Sequence, residues 1–186
     1  MSIKVREGGA WVQVSDGSDG VDSKVLQMKY AESNTVVNIS QQDIFPIVGL
    51  IVNISPLSSS SKLLLEANVS SNVTFVTSFG FAYMNTTPPT LLGGNNNTNS
   101  KNAIATRFVS ANVSNSTPLP GYQFNQETVT YRYLYSQSGL TPVGGLTFQA
   151  CACSSWSGNL YNLTINDRSL NDMRSTSSIT VMEIEL

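Results

Sequence analysis

Residues 61–69, SKLLLEANV, show the pattern that decides the fold of this chain. Leu63, Leu65, Ala67 and Val69 occupy alternate positions, so a β-strand places all four on one face. Four further runs have the same period of two. Their aligned positions are Val73, Phe75, Phe79, Phe81 and Tyr83 in the first, Val129, Tyr131, Tyr133 and Tyr135 in the second, and Tyr161, Leu163 and Ile165 in the third. In the fourth run Thr180, Met182, Ile184 and Leu186 are aligned, and Ile179 and Val181 lie on the opposite face. Helix signals are nearly absent, and turn-forming stretches such as SPLSSSS (55–61) separate the runs. The sequence therefore predicts an all-β protein with antiparallel strands in a sandwich or barrel.

The composition excludes several classes of function. Only 12% of the 186 residues are charged, the net charge is −2, and there is no basic run, so we expect no nucleic-acid partner. No apolar run approaches the roughly 18 residues of a membrane span, and the N-terminal residues lack the apolar region of a signal peptide, so we expect no membrane insertion. The chain has no histidine and no nucleophile, phosphate-loop or dinucleotide motif. We therefore expect no enzyme, no catalytic residues and no cofactor.

The two cysteines have the spacing of neighbours on one strand face. Cys151 and Cys153 fall in the series Thr147, Gln149, Cys151, Cys153. A disulfide across that spacing needs a distorted strand, and two thiolates alone make a poor zinc site. We expect reduced thiols and no metal.

The N-terminus has a different character from the rest of the chain. Residues 1–15 contain IKVREGGAWVQVS, whose central glycines can form the tight turn of a small β-hairpin. Two strands alone are marginally stable in water, so the apolar residues of this hairpin are predicted to dock elsewhere; they are Ile3, Val5, Trp11, Val12 and Val14. Residues 16–23 hold Asp16, Asp19 and Asp22, whose spacing differs from that of an EF-hand. A flexible linker is favoured there over a calcium loop.

Three separated segments carry a resemblance to a known family. KVLQMKYAES (24–33), VNISPLSSSSKLLLEANV (52–69) and RSTSSITVMEIEL (174–186) resemble the C-terminal head domain of bacteriophage fibre-like virion proteins. That family opens on a K-V-L-Q strand, continues with an I-x-P-x-S-x-S-S-K strand start and closes on an S-x-I-T-x-M-E-I strand. The N-terminal segment, with Gly8, Gly9 and Trp11 before an SDG, is similar to short modules of cyanobacterial-virus structural proteins. The resemblance implies a trimeric, jelly-roll-like β-sandwich over residues 24–186, displayed on the virion and assembled in the host cytoplasm.

The resemblance leads to a predicted function and to predicted sites. The chain is expected to be a homotrimeric tail-associated fibre or receptor-binding protein, anchored to tail, baseplate or capsid proteins through its N-terminus. The long polar stretch 85–102 is the expected contact with a host surface glycan, because loops on a rigid sandwich carry recognition. The residues predicted to contact the receptor are Asn95, Asn96, Asn97 and Asn99, with Trp156 and Tyr161 as a second location.

Two alternatives remain open at this level. No heptad, collagen or β-helix repeat precedes the head, so a capsid decoration protein (a cement protein or head fibre) fits as well as a long tail fibre. A secreted trimeric ligand of the TNF or C1q kind has a similar architecture, and the missing signal peptide counts against it. The alternate tyrosines Tyr131, Tyr133 and Tyr135 suit a carbohydrate platform, a core or a subunit interface, and a core or interface role is favoured over the platform.

Overall fold

The computed structural model describes residues 3–7, 10–14, 24–39, 45–73, 76–92, 105–108, 126–136, 145–153, 155–156, 159–160, 163–167 and 175–185. Within these ranges every regular element is a β-strand, which confirms the predicted all-β class. The strands are β1 (Ile3–Glu7), β2 (Ala10–Val14), β3 (Lys24–Ser33), β4 (Val37–Ile39), β5 (Phe45–Ile54), β6 (Lys62–Val73), β7 (Val76–Tyr83), β8 (Thr90–Leu92), β9 (Ala105–Phe108), β10 (Gln126–Tyr135), β11 (Leu146–Cys153), β12 (Ser155–Trp156), β13 (Asn159–Leu160), β14 (Leu163–Ile165) and β15 (Ser177–Glu185).

The first large sheet has six strands and brings the two ends of the head together. Its order is β3-β15-β6-β14-β4, and β10 pairs with the other edge of β6. The C-terminal strand β15 therefore lies between β3 and β6, antiparallel to both. The short strand β14 pairs with β6 beyond β15, at Leu163↔Val73, so β14 and β15 follow one another along the same side of β6.

The second large sheet has five strands and faces the first across the core. Its order is β5-β11-β7-β8, with β9 also paired to β7. The register between β11 and β5 shifts between Gln149 and Cys151, where β5 is bulged. The side chain of Gln149 donates a hydrogen bond to the carbonyl of Ile47 at 3.0 Å, which satisfies backbone freed by the bulge.

The order of the long strands is that of a jelly roll. These strands, taken in chain order from first to eighth, are β3, β5, β6, β7, β8, β10, β11 and β15. One sheet contains the first, eighth, third and sixth of these strands. The other sheet contains the second, seventh, fourth and fifth. This arrangement of eight antiparallel strands in two packed sheets confirms the predicted jelly-roll-like sandwich.

The core lies between the sheets and uses the predicted faces of β6, β7 and β10. On β15 the core uses Ile179 and Val181, whereas the aligned set with Met182 and Ile184 faces outward. Leu63, Leu65, Ala67 and Val69 are fully buried on the inner face of β6. An aromatic group fills the space between β10 and the second sheet: the ring of Tyr131 lies 4.9 Å from that of Phe81, and the ring of Tyr135 lies 5.1 Å from that of Phe148. The alternate tyrosines of β10 are therefore core residues, as favoured over the carbohydrate platform.

A buried polar cluster closes the junction between β3–β4 and β14–β15. Asn166 follows β14 with a positive φ of 63°, and its amide nitrogen donates hydrogen bonds to the carbonyls of Ser33 (2.8 Å) and Thr35 (3.1 Å). The hydroxyl of Ser177 donates to the Asn166 side-chain oxygen at 2.5 Å. Ser177 also accepts a hydrogen bond from the backbone N–H of Ser70 at 2.9 Å, which ties the cluster to β6.

Two sequence interpretations need correction. The alternating run from Val73 to Tyr83 is divided between two sheets, because β6 ends at Val73 in the first sheet and β7 begins at Val76 in the second. The polar stretch 85–102 also contains strand β8, which pairs with β7 and buries Leu92. Strand alternation alone does not show where a chain leaves one sheet for the next.

Candidate functional site

An apolar row crosses the solvent-facing side of the six-stranded sheet. The pairings Met28↔Met182, Met182↔Leu64 and Leu134↔Leu64 place four apolar residues side by side on β3, β15, β6 and β10. Met28 is 61% exposed and Leu134 is 44% exposed, while Met182 and Leu64 are half-buried between them. We call Met28, Met182, Leu64 and Leu134 the outer apolar row. Val25 and Ile184, paired with each other, extend it towards one end of the sheet.

The rows on the side of the outer apolar row away from Val25 and Ile184 are polar. Arg132 forms an ion pair with Glu66 across β10 and β6, and Thr130 donates a hydrogen bond to Asn68 at 2.6 Å one step further along. The phenol of Tyr30, which is 55% exposed on β3, donates to Glu32 at 2.7 Å. The outer apolar row is thus bordered by side chains that already bond to one another, so it is a defined patch rather than scattered apolar residues.

The corresponding face of the five-stranded sheet is different. Gln149, Cys151 and Cys153 lie on the outward side of β11 but are buried, and neither cysteine forms a disulfide. Burial raises the pKa of Cys151 to about 12, so this thiol stays protonated and unreactive near neutral pH. The prediction of reduced cysteines on one strand face is confirmed. Exposed apolar residues on this sheet, Val48 and Ile51, both come from the bulged region of β5.

The three segments that carry the family resemblance meet at one buried carboxylate. Glu183 on β15 is 0% exposed and accepts hydrogen bonds from the Ser61 hydroxyl (2.5 Å), the Gln27 side-chain amide (2.7 Å) and the backbone N–H groups of Leu57 (2.8 Å) and Ser58 (3.0 Å). We call this set of groups the Glu183 cluster. It joins the start of β3, the 55–61 turn and the C-terminal strand.

Hydrogen bonds rather than an ion pair stabilise the charge of this carboxylate. Burial raises the pKa of Glu183, but donation from Ser61, Gln27, Leu57 and Ser58 outweighs it and lowers the pKa below the ordinary value of 4.5. In the part of the chain that the structure describes, no Lys or Arg forms an ion pair with Glu183. Glu183 falls in step with Ile179 and Val181, so alternation could have indicated that it faces inward.

The predicted anchoring residues lie in the N-terminal hairpin. β1 and β2 pair antiparallel in the register Ile3↔Val14, Val5↔Val12 and Arg6↔Trp11. Ile3 and Val5 are thus directly opposed to Val14 and Val12, and Trp11 is opposed to Arg6. The linker 16–23, with its three aspartates, lies outside the described residues.

The predicted receptor contacts are not brought together by the described structure. Asn95, Asn96, Asn97, Asn99 and Tyr161 lie outside the described residues. Trp156 is in β12, paired with Asn159 of β13. The described part of the chain contains no group of three or more His, Cys, Asp or Glu side chains placed to hold a metal ion, and it contains no helix suited to crossing a membrane.

Similarity to known proteins is found among solved structures alone. No protein-family model and no curated protein matches this chain. Among solved structures, a matching chain comes from the structure of infectious bursal disease virus Gt strain, with 12% sequence identity and a TM-score of 0.33. The match covers 98% of the present chain and 46% of that viral chain, so the present chain spans less than half of its length. The jelly-roll assignment above rests on the strand order alone.

Proposed function

We propose that this chain is a bacteriophage virion protein: a homotrimer of jelly-roll heads that serves as a tail-associated fibre or receptor-binding protein. The observation that carries the proposal is the outer apolar row, which lies on the solvent side of a sheet whose other side already covers a complete core. Surplus apolar strand surface of this kind is typical of an interface between subunits. The family resemblance of three segments, which meet at Glu183, supports the virion assignment.

The occupant of the outer apolar row in this proposal is a further copy of the same chain. The same sheet face presents both signs of charge beside the row, with Lys62 and Arg132 on one hand and Glu66 and Glu32 on the other. Copies related by a three-fold axis can therefore bring their outer apolar rows together at the axis and place opposite charges of neighbouring copies against each other. The low net charge of −2 limits repulsion between subunits.

The interface is tested with a paired substitution and a matched control. Met28→Lys combined with Leu134→Lys places charges in the row, and the head remains folded because both side chains are exposed. The free energy at stake is about 1.5–3 kcal/mol per subunit, since the exposed fractions of the two side chains add up to roughly one buried side chain. Each subunit contact weakens at least about tenfold, and sedimentation changes from trimer to monomer.

The control variant combines Val48→Lys with Ile51→Lys on the other sheet. Val48 is 53% exposed and Ile51 is 44% exposed, so two lysines replace two apolar side chains of similar exposure in both variants. The control protein is expected to remain trimeric. A wild-type protein that sediments as a monomer at micromolar concentration contradicts the trimer, and a paired Met28 and Leu134 variant that stays trimeric contradicts this interface.

The N-terminal hairpin is proposed as the virion anchor, and its register suggests which residues to change. Val5→Ser with Val12→Ser alters a directly opposed apolar pair, whereas Trp11→Ala alters the position opposed to Arg6. The measurement is the amount of the protein in purified particles, with trimer assembly as the control. Normal incorporation of both variants contradicts the anchor.

The polar residues Asn95, Asn96, Asn97 and Asn99 are proposed to contact a host surface glycan, because uncharged amides both donate to and accept from sugar hydroxyls. Since Leu92 is buried in β8, the deletion that tests them spans residues 93–100 and leaves β8 in place. Retained trimer with lost host-cell adsorption supports the contact. Unchanged adsorption contradicts it and directs the search to Trp156 and Tyr161. Cryo-electron microscopy of the particle distinguishes a tail position from capsid decoration.

A further inference from the structure

Every group that contacts the buried carboxylate of Glu183 is a hydrogen-bond donor. The Oε1 atom accepts from the Ser61 hydroxyl and from the backbone N–H groups of Leu57 and Ser58, and Oε2 accepts from Gln27 and again from Leu57. The amide nitrogen of Gln27 also donates to the carbonyl of Ser55 at 2.6 Å, so one side chain holds both the turn and the carboxylate. This geometry suits an ionised carboxylate, which is an acceptor only.

A protonated carboxyl group fits this arrangement in one position only. Its proton on Oε2 would face the N–H groups of Gln27 and Leu57, which cannot accept it. On Oε1, the Ser61 oxygen could accept it, and the Ser61 hydroxyl would then turn its own proton from Glu183 to the carbonyl of Ser58, 2.9 Å away. Protonation therefore removes or weakens the bonds from Leu57, Ser58 and Gln27 and leaves buried donors without a charged partner.

Within the described residues, no charged side chain forms an ion pair with Glu183 that could replace these hydrogen bonds. The 55–61 turn and β5 contain no titratable side chain. On the strands paired with or adjacent in sequence to Glu183, the titratable side chains are Lys24, Lys29, Tyr30 and Glu32 on β3, Lys62 and Glu66 on β6, and Glu185 on β15. Lys24, Lys29 and Glu185 share the face of Glu183 by register, and within the described residues none of them forms an ion pair with it.

We propose that Glu183 is an acid-sensitive latch: its protonation releases the 55–61 turn from β15 while the rest of the sandwich, including the pairing of β3 with β15, stays folded. The hydrogen bonds to Glu183 are confined to one end of the head. The aromatic core and the Asn166 cluster are held by other contacts, in which the Glu183 carboxylate takes no part. Leu57, the most exposed of the large apolar side chains described at 64%, is carried on the released turn. Acid would thus change the surface that the turn presents.

The direction of the pH dependence follows from the lowered pKa. A carboxyl group with a pKa below its ordinary value stabilises the folded state above that value, and the stabilisation is lost as the pH falls through the folded-state pKa. For Glu183 the latch is closed above 4.5 and opens only below it. Removing a donor raises the folded-state pKa and moves the opening to higher pH.

Amide hydrogen exchange of the full chain tests the latch residue by residue. The protection factors of the Leu57 and Ser58 amides are compared with that of Met84, whose N–H donates to the carbonyl of Thr147 at 2.9 Å without involving Glu183. As the pH is lowered from about 7 to well below 4.5, protection at Leu57 and Ser58 is expected to fall, while protection at Met84 changes by less than about twofold. A parallel fall at all three amides, or no fall at Leu57 and Ser58, overturns the proposal.

Two variants separate the latch from a merely structural contact. Glu183→Gln cannot ionise and places a donor among donors, so the turn amides are expected to lose protection already at neutral pH. Gln27→Met removes one donor and keeps the carboxylate, so the midpoint of opening moves to higher pH; this variant decides the matter if the first fails to fold. Glu66→Gln, on the solvent side of β6, is the control and leaves the midpoint unchanged. An unchanged midpoint in Gln27→Met overturns the proposal.

Discussion

Replacing Tyr131 with phenylalanine is expected to stabilise the head. Tyr131 is 3% exposed, and its ring packs against Phe79 at 5.8 Å and Phe81 at 4.9 Å. Its hydroxyl oxygen is buried and has no hydrogen-bond partner within the described residues. Burial raises the pKa of Tyr131 well above 10.0, and the Cys151 thiol adds to this increase to a lesser extent. The Cys151 backbone lowers the pKa, but by less than burial raises it. The backbone of Cys151 is therefore at most a weak partner for the hydroxyl.

The size of the gain follows from the cost of that hydroxyl. A buried polar group without a partner costs about 1–3 kcal/mol, and phenylalanine keeps the ring contacts while removing the group. Partial compensation by the Cys151 backbone reduces the expected gain to about 1–2 kcal/mol. In a domain of this size, each kcal/mol raises the midpoint of thermal unfolding by about 2–4 °C. The Tyr131→Phe protein should therefore melt about 2–8 °C higher than the wild type.

Urea unfolding followed by circular dichroism measures the difference in the free energy of unfolding. Tyr133→Phe is the matched control, because Tyr133 lies on the same face of β10 but is only half-buried, and its effect should stay within about 0.5 kcal/mol. If Tyr131→Phe is instead less stable than the wild type by about 1 kcal/mol, the hydroxyl makes a normal hydrogen bond in the core and the reasoning is refuted.

Three other changes probe the backbone and the strand order. Gly49→Ala should cost about 1–3 kcal/mol, because Gly49 has a φ of +84° and an added Cβ would lie 2.7 Å from the Ser33 hydroxyl oxygen; urea unfolding measures this. Asn166→Ala and Asn166→Gly lose the same buried hydrogen bonds, but only alanine is strained by the positive φ at this position. The alanine variant should therefore be less stable than the glycine variant by about 1 kcal/mol. Equal stability of the two variants would contradict this. Deletion of residues 177–186 removes the strand between β3 and β6 and should abolish folding by circular dichroism, whereas deletion of residues 1–23 should not.

Much of the fold could be predicted from the sequence because strand faces are a local property. Successive side chains point to opposite sides of a strand, so the buried set Leu63, Leu65, Ala67 and Val69 follows from the order of the residues alone. The same reasoning placed Tyr131 in the core and both cysteines on one face of β11. Alternation did not show where the chain passes from one sheet to the other, because the pattern from Val73 to Tyr83 continues unchanged from β6 into β7.

The tertiary structure alone decided which strands are neighbours and therefore where the polar residues meet. Glu183 and Gln27 lie at opposite ends of the head sequence, and the pairing of β15 with β3 brings them within 2.7 Å of each other. Alternation limits Glu183 to one face of β15, but it carries no information about the donors that a distant strand and the 55–61 turn supply. Pairing between strands far apart in sequence depends on the whole packed core, because only the combined burial of both sheets offsets the entropy lost in bringing such segments together. The outer apolar row is visible as a continuous patch for the same reason: its four members come from four strands that only the folded sheet places side by side.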